Sequence, residues 1–371
     1  MRIGIDCRTL VASAGIGEYG RQLVKNLLIQ DKHNHYVLFL NEDEKLPPEI
    51  VAGDYEIKRF PLSRYRRYLP FFYSQLIVGK LINRQKLDVC LFPANIIPLG
   101  YRGQAVVTIH DLAVYLYPEL FLDRLINFDR RYLVPQSLKQ ADKIIAVSNS
   151  TKRDIIKLFG IAPEKIEVIY EGVADREATY QKGKEKYILY LGTIEPRKNL
   201  TRLIGAFKKL KQEEPVARDL KLILAGKNGW KNEEIFRGLR QANAELQEEA
   251  IKYLGYVTPE RKHELLSHAE VFVFPSLYEG FGLPVAEAMA CGLPVITSDA
   301  GSLPEIGGEA VLYVNPLKEE EICLAIKKVI TVENFRQQLA EKGKQKSREF
   351  TWDKCAQQTK ELLEGLQQVK R

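Results

Sequence analysis

Short apolar runs punctuate this chain at intervals too long for hairpins. One series comprises RIGID (2–6), YVLFL (36–40), DVCLF (88–92), AVVTIHD (105–111), KIIAVS (143–148) and KIEVIY (165–170). A second comprises YILYLG (187–192), KLILAG (221–226), IKYLGY (251–256), VFVFPS (271–276), PVITSD (294–299) and VLYVN (311–315). They are rich in Val, Ile and Tyr and near-continuous rather than alternating, as strands covered on both faces must be. Between them lie stretches with apolar residues at helical spacing, such as EYGRQLVKNLLIQ, SNSTKRDIIKLFG, NLTRLIGAFKKLKQ and PERKHELLSHA. Strand–helix–strand repetition predicts an α/β fold with parallel sheets and right-handed crossovers. The polar stretch EATYQKGKEKY (177–187) separates the two series. It predicts domains over 1–176 and 177–371, with the final helical segment, about 352–371, able to pack on either.

Length supports that division, because 371 residues exceed what one core usually serves. In open parallel sheets ligands lie beyond the carboxyl ends of the strands. Those ends carry Asp6, Asn95, His110 with Asp111, Asn149, Glu171, Thr193, Lys227 and Ser276. Two such sheets facing each other would leave a cleft lined from both sides. The net charge of +7 suits an anionic ligand or an anionic membrane face, and equally a slightly basic cytosolic enzyme. The five cysteines stand mostly among apolar neighbours without a C-x-x-C pair, so reduced core thiols are expected rather than disulfides or zinc ligands. The opening MRIGIDCRTL lacks a secretory h-region, and no run of about 18 uncharged apolar residues could span a bilayer. A cytoplasmic protein is expected, with peripheral membrane association left open.

The densest chemistry lies in PSLYEGFGLPVAEAMACG (275–292). Pro284 suits the first position of a helix running to Cys291, and Gly292 stops it. The amides of Gly280, Phe281, Gly282 and Leu283 would gather at the positive end of that helix, where an anion is favoured. Glu279 precedes this loop and Glu287 lies on the helix. An anion site flanked by two carboxylates can grip a ligand bearing both phosphates and hydroxyls, and a sugar nucleotide is such a ligand. Further along, Ser302-x-x-Glu305 reads as a capping box, which explains Glu305 without any ligand.

Five motifs in order, GIGEYGRQL (15–23), HDLAVYLYPELF (110–121), SNSTKRDIIKLFGI (148–161), GTIEPRKNL (192–200) and the block from Pro275 to Ile306, resemble those of retaining glycosyltransferases of family 4. The resemblance runs over nearly the whole chain and is nearest in look to mannosyltransferases of bacterial polysaccharide assembly. It implies the GT-B architecture, with two Rossmann-like parallel-sheet domains facing each other across a cleft, an N-terminal one for the acceptor and a C-terminal one for the nucleotide sugar. It also implies roles. Glu279 would lie by the donor sugar and Glu287 would bind the ribose diol. Arg197 and Lys198 would stabilise the departing diphosphate, as fixed cations do. Thr193 stands where many members carry an arginine, and Arg197 would substitute for it from the other side. The loop Gly15–Ile16–Gly17 would approach the diphosphate, His110 would lie at the reaction centre, and Lys227 would serve the base or phosphates.

The expected reaction moves a sugar, GDP-mannose being favoured over UDP-sugars, to a hydroxyl of a glycan or lipid-linked oligosaccharide with retained configuration. No D-x-D triplet occurs, so no metal and no other cofactor are expected. Glu279 stays open as a covalent nucleophile. A glycan phosphorylase lacks its lysine context here, a sugar-nucleotide epimerase or synthase of similar fold remains an alternative, and a non-catalytic module for anionic polymer is the alternative of another class. No nucleic-acid partner is expected. The stretch 59–84 reads either as an amphipathic helix on the N-terminal sheet or as a lipid-docking element, with Arg64, Arg66 and Arg67 at the interface and Leu69, Phe71 and Phe72 inserted.

Overall fold

Two parallel sheets, each the centre of its own compact unit, organise the chain in the computed structural model, which describes residues 1–10, 15–50, 53–61, 73–121, 128–173 and 185–368. Unit 1 comprises Met1–Tyr115, Arg124–Gly172 and Thr351–Arg371, and unit 2 comprises Leu116–Asp123 and Val173–Phe350. The expected boundary at 176/177 lies outside the described residues.

In unit 1 the strands are β1 (Arg2–Asp6), β2 (His35–Asn41), β3 (Tyr55–Phe60), β4 (Val89–Phe92), β5 (Ala105–Ile109), β6 (Lys143–Ala146) and β7 (Ile166–Val168). Their order is β3-β2-β1-β4-β5-β6-β7, all parallel. The strands β4 and β5 are buried at every position, which is why they read as unbroken apolar runs. Strand β3 was not anticipated. At the sheet edge its sequence YEIKRF carries charges and stays half-exposed, which hides it from an apolar-run reading. Arg59 and Phe60 are therefore strand residues, not part of an amphipathic helix. From the rest of that stretch, Tyr73–Ile77 forms a π-helical turn leading into the helix Val78–Asn83. The lipid-docking candidates Arg64, Arg66, Arg67, Leu69, Phe71 and Phe72 lie outside the described residues.

Unit 2 repeats the design with β8 (Tyr187–Leu191), β9 (Lys221–Ala225), β10 (Ile251–Tyr253), β11 (Val271–Phe274), β12 (Val295–Ser298) and β13 (Leu312–Val314), in the order β10-β9-β8-β11-β12-β13. In both sheets the chain runs outward from the first strand and then returns to build the other half. That leaves a switch point between β1 and β4 in one and between β8 and β11 in the other.

The last helix, Trp352–Gln368, belongs to unit 1. It lies against the helix Gly15–Gln30, where Gln30 Nε2 donates to Asp353 Oδ1 at 3.0 Å and the rings of Tyr19 and Trp352 meet at 6.0 Å. The short segment from Leu116 crosses the other way. Trp230 Nε1 donates to the Leu120 carbonyl at 2.9 Å and stacks on Phe121, which accounts for its place in unit 2. All five cysteines are free and buried, as expected of core thiols. Among the described residues no helix is long and apolar enough to cross a membrane.

Candidate active site

Strand β8 ends at Leu191, and the chain turns through a short 3-10 helix, Pro196–Lys198, that aims two consecutive cations at the end of β11. Strand β11 in turn runs into Pro275, Ser276 and the glycine loop. These turns meet at the switch point of unit 2. Glu279, only 7% exposed, is bound on every side. Lys198 Nζ and Ser276 Oγ each donate to its Oε1 at 2.5 Å, and Arg197 Nη1 donates to its Oε2 at 2.9 Å. Arg197 also donates from Nη1 to the Tyr278 carbonyl at 2.7 Å and from Nε to Glu195 Oε1 at 3.0 Å. The Lys198 ammonium stands 5.0 Å from the centre of the Phe274 ring.

Burial opposes every charge in this cluster, and the partners decide who wins. For Glu279 burial pushes the carboxyl up, but Arg197 and Lys198 outweigh it and hold it down at about 2. For Glu195 burial wins and its carboxyl is raised despite Arg197 and Lys198. For Lys198 burial and the Arg197 charge lower the ammonium despite Glu279. Sequence reasoning placed Arg197, Lys198 and Glu279 in one site but missed Ser276 as a ligand of the carboxylate and Glu195 as the counter-charge that orients Arg197. Their signal was position alone: both follow strand ends.

The helix after the glycine loop runs Leu283–Ala290, one residue earlier than expected at each end. Gly282 caps it with φ +102°, a left-handed backbone that favours glycine, and a Cβ there would meet Leu303 at 2.8 Å. Leu283 thus opens the helix, with Gly280 and Phe281 buried just ahead of it. The capping box is corrected. Ser302 makes no side-chain cap and stands in the right-handed helical region. Its hydroxyl instead reaches the carbonyls of Glu279 at 3.1 Å and Phe281 at 2.6 Å, so it pins the glycine loop. Glu287 projects from this helix, partly exposed, and accepts from Lys262 Nζ at 2.6 Å. Lys227, just past β9, is exposed with its ammonium 5.2 Å from the Tyr256 ring centre.

In unit 1, Gly15 and Gly17 open the helix Gly15–Gln30. His110 stands one residue beyond β5, 7% exposed, with both ring nitrogens engaged. Nδ1 meets Glu171 Oε1 at 3.0 Å, and Nε2 meets the Pro93 carbonyl at 2.8 Å. A carbonyl only accepts, so Nε2 carries a proton. Burial alone would lower this imidazole, but the hydrogen bond and charge of Glu171 outweigh it and raise its pKa. The ring is further fixed by the edge of Tyr19, with centroids 4.6 Å apart, and its backbone N–H donates to Asn95 Oδ1 at 2.9 Å. Glu171 as the partner of His110 was legible only as a strand-end residue. Among the described residues no three His, Cys, Asp or Glu side chains converge as a metal site requires.

With this geometry in hand, the comparisons with known proteins are specific. Residues 14–177 match the description Glycosyltransferase Family 4, and residues 174–346 match Glycosyl transferases group 1. The chain is 33% identical over 370 residues to O-antigen chain mannosyltransferase B of Escherichia coli, covering 93% of this chain and 94% of that protein. The chain belongs to glycosyltransferase family 4. It is a glycosyltransferase with the two Rossmann-like parallel-sheet domains of the GT-B class. A second relative, O-antigen chain mannosyltransferase RfbU of Salmonella typhimurium, is 32% identical over 270 residues, 72% of each chain. Among solved structures, Anabaena Alr3699/HepE in complex with UDP-glucose shares the fold at a TM-score of 0.78, with 20% identity over 98% of this chain and 100% of that one.

Proposed function

We propose that this glycosyltransferase moves a mannosyl residue from GDP-mannose to a hydroxyl of a glycan or lipid-linked oligosaccharide, with retained configuration and without a metal. The observation that carries the reading is the cluster at the unit 2 switch point, where Lys198 and Arg197 converge on Glu279 at 2.5 and 2.9 Å. Kinship with O-antigen mannosyltransferases supports the choice of sugar and the polysaccharide acceptor.

In this reading the donor diphosphate takes its place at Arg197, Lys198 and the amides of Gly280, Phe281, Gly282 and Leu283. The Leu283–Ala290 helix presents its positive end there. Each charge-assisted contact contributes roughly 1.5–3 kcal/mol. A diphosphate beside Lys198 would also restore the ammonium that burial disfavours. Glu287 accepts from the ribose diol, exchanging Lys262 for two hydroxyls, and Lys227 with Tyr256 serves the base end. The family resemblance gives further roles to Gly15, Gly17 and His110, which stand in unit 1. Because the Glu279 carboxylate is held by three donors and strongly acidic, it acts as the fixed anion that orients Arg197 and Lys198, not as a nucleophile. The bond from the anomeric carbon to the diphosphate oxygen then breaks as the acceptor oxygen bonds to the same face. The acceptor proton passes to the leaving phosphate.

The test is release of GDP from GDP-mannose, with UDP-glucose and UDP-N-acetylglucosamine in parallel, in the presence of a chelator and a mannose-terminated acceptor. Mannosyl transfer that survives chelation, with an α-linked product from the α-linked donor, is the expected result. Transfer from a UDP-sugar instead, or inverted product, overturns the donor or the stereochemical assignment.

A further inference from the structure

The switch point of unit 1 is not empty space. A cavity of about 210 Å³ opens between the ends of β1 and β4, lined among others by Asp6, Arg8, Thr9, Gln75, Phe92 and Pro93. That is far more than the ~10–15 Å³ that one water needs. Its polar groups are unevenly satisfied. Asp6 and Arg8 form a two-pronged pair, Nε to Oδ1 at 2.8 Å and Nη2 to Oδ2 at 2.6 Å, which leaves Arg8 Nη1 without a partner among the described residues. Among the described residues the Gln75 amide, in a buried side chain, makes two hydrogen-bond contacts, to Ser74 Oγ and from the Leu99 N–H, both at a long 3.4 Å. Thr9 Oγ1 is the one buried side-chain oxygen or nitrogen, among the described residues, with no hydrogen-bond partner at all. Such a group costs about 1–3 kcal/mol when left alone, and native folds rarely tolerate it without reason.

We propose that this cavity is the subsite for a hydroxyl-bearing sugar ring of the acceptor, held by Asp6, Arg8, Thr9 and Gln75. The pattern fits a neutral polyol better than an anion. The Asp6 carboxylate already neutralises Arg8, and what remains is one N–H edge, one amide, one hydroxyl and carboxylate lone pairs. Those are the groups that pair with sugar hydroxyls. Phe92 and Pro93 supply an apolar wall against which a pyranose face can lie. The same wall carries the link to chemistry, since the Pro93 carbonyl is the partner of His110 Nε2 at 2.8 Å. Position agrees, because open parallel sheets bind ligands at the switch point.

This inference rests on the transferase reading above but can be tested apart from it. Thr9→Val is nearly isosteric and removes an unsatisfied hydroxyl, so it should fold as well as wild type or better. If the hydroxyl serves a sugar, the variant raises the acceptor KM about fivefold, the worth of one hydrogen bond, while the donor KM stays put. Asp6→Asn should raise the acceptor KM further. In parallel, binding of methyl α-mannoside to the full chain is followed by saturation-transfer NMR without any donor. Binding to wild type that weakens in Thr9→Val and is lost in Asp6→Asn supports the subsite. Equal binding to all three, no binding to wild type, or a higher melting temperature in Thr9→Val with an unchanged acceptor KM overturns it. Should GDP and UDP both fail to stabilise wild type, the donor reading fails while the glycoside titration still decides the cavity.

Discussion

The two sheets share one winding scheme, yet their switch points are furnished in opposite ways. Between β8 and β11 four charged side chains are bound to one another, of which Glu195, Lys198 and Glu279 are buried and Arg197 is partly so. Between β1 and β4 a single Asp6–Arg8 pair borders a cavity whose hydroxyl and amide are left wanting. The physical lesson concerns when desolvation is settled. In the proposed reading the cations that meet a diphosphate are held ready, in a site that water cannot reorganise, by the buried Glu279 carboxylate. The neutral sugar proposed for the other switch point needs only donors and acceptors at the right places, and these can wait unsatisfied at modest cost.

The largest test of this contrast is Glu279→Ala. It leaves the buried Lys198 ammonium without its carboxylate and Arg197 with Glu195 alone, so unfolding by denaturant should show a loss of about 3–5 kcal/mol together with the disappearance of transfer. A stable, active variant would mean that the cluster does not depend on its anion. The milder Glu279→Gln should chiefly slow turnover, by roughly 100-fold if Arg197 and Lys198 lose their alignment. Next comes Glu287→Ala, expected to weaken GDP binding about 10- to 100-fold by calorimetry, with little change in unit 1 ligand binding.

The pH dependence separates the units as well. The Glu279 carboxyl is depressed from 4.5 to about 2 in the folded chain, so its stabilisation is present above 4.5 and disappears as pH falls toward 2. The acid limb of a stability–pH curve should flatten in Glu279→Gln. His110 is raised from 6.5, so its contribution is complete below 6.5 and declines as pH climbs through the raised value. That alkaline limb should flatten in His110→Gln and persist in Glu279→Gln; the reverse pattern would misassign both. The smallest effect is expected from Lys262→Ala. Its partly exposed pair with Glu287 should cost under about 1 kcal/mol in thermal unfolding, while leaving Glu287 freer to meet a ribose.

Much of this protein was legible from residue order alone. Buried parallel strands read as apolar runs because both faces are covered, so twelve of them stood out, and the motifs around Glu279, Lys198 and His110 named the family. Edge strand β3 escaped because its half-exposed face keeps charges, and Ser302 was misread because a serine three residues before a glutamate has the same pattern whether it caps a helix or turns to a neighbouring loop. Tertiary structure alone decided that Ser276 and Glu195 complete the cation cluster and that Glu171 fixes His110. It also placed the final helix on unit 1 and left Thr9 facing a cavity. The reason is separation along the chain. Sequence pattern reports what a residue does within its own strand or helix, whereas Lys198 and Glu279 become partners only because β8 and β11 lie side by side.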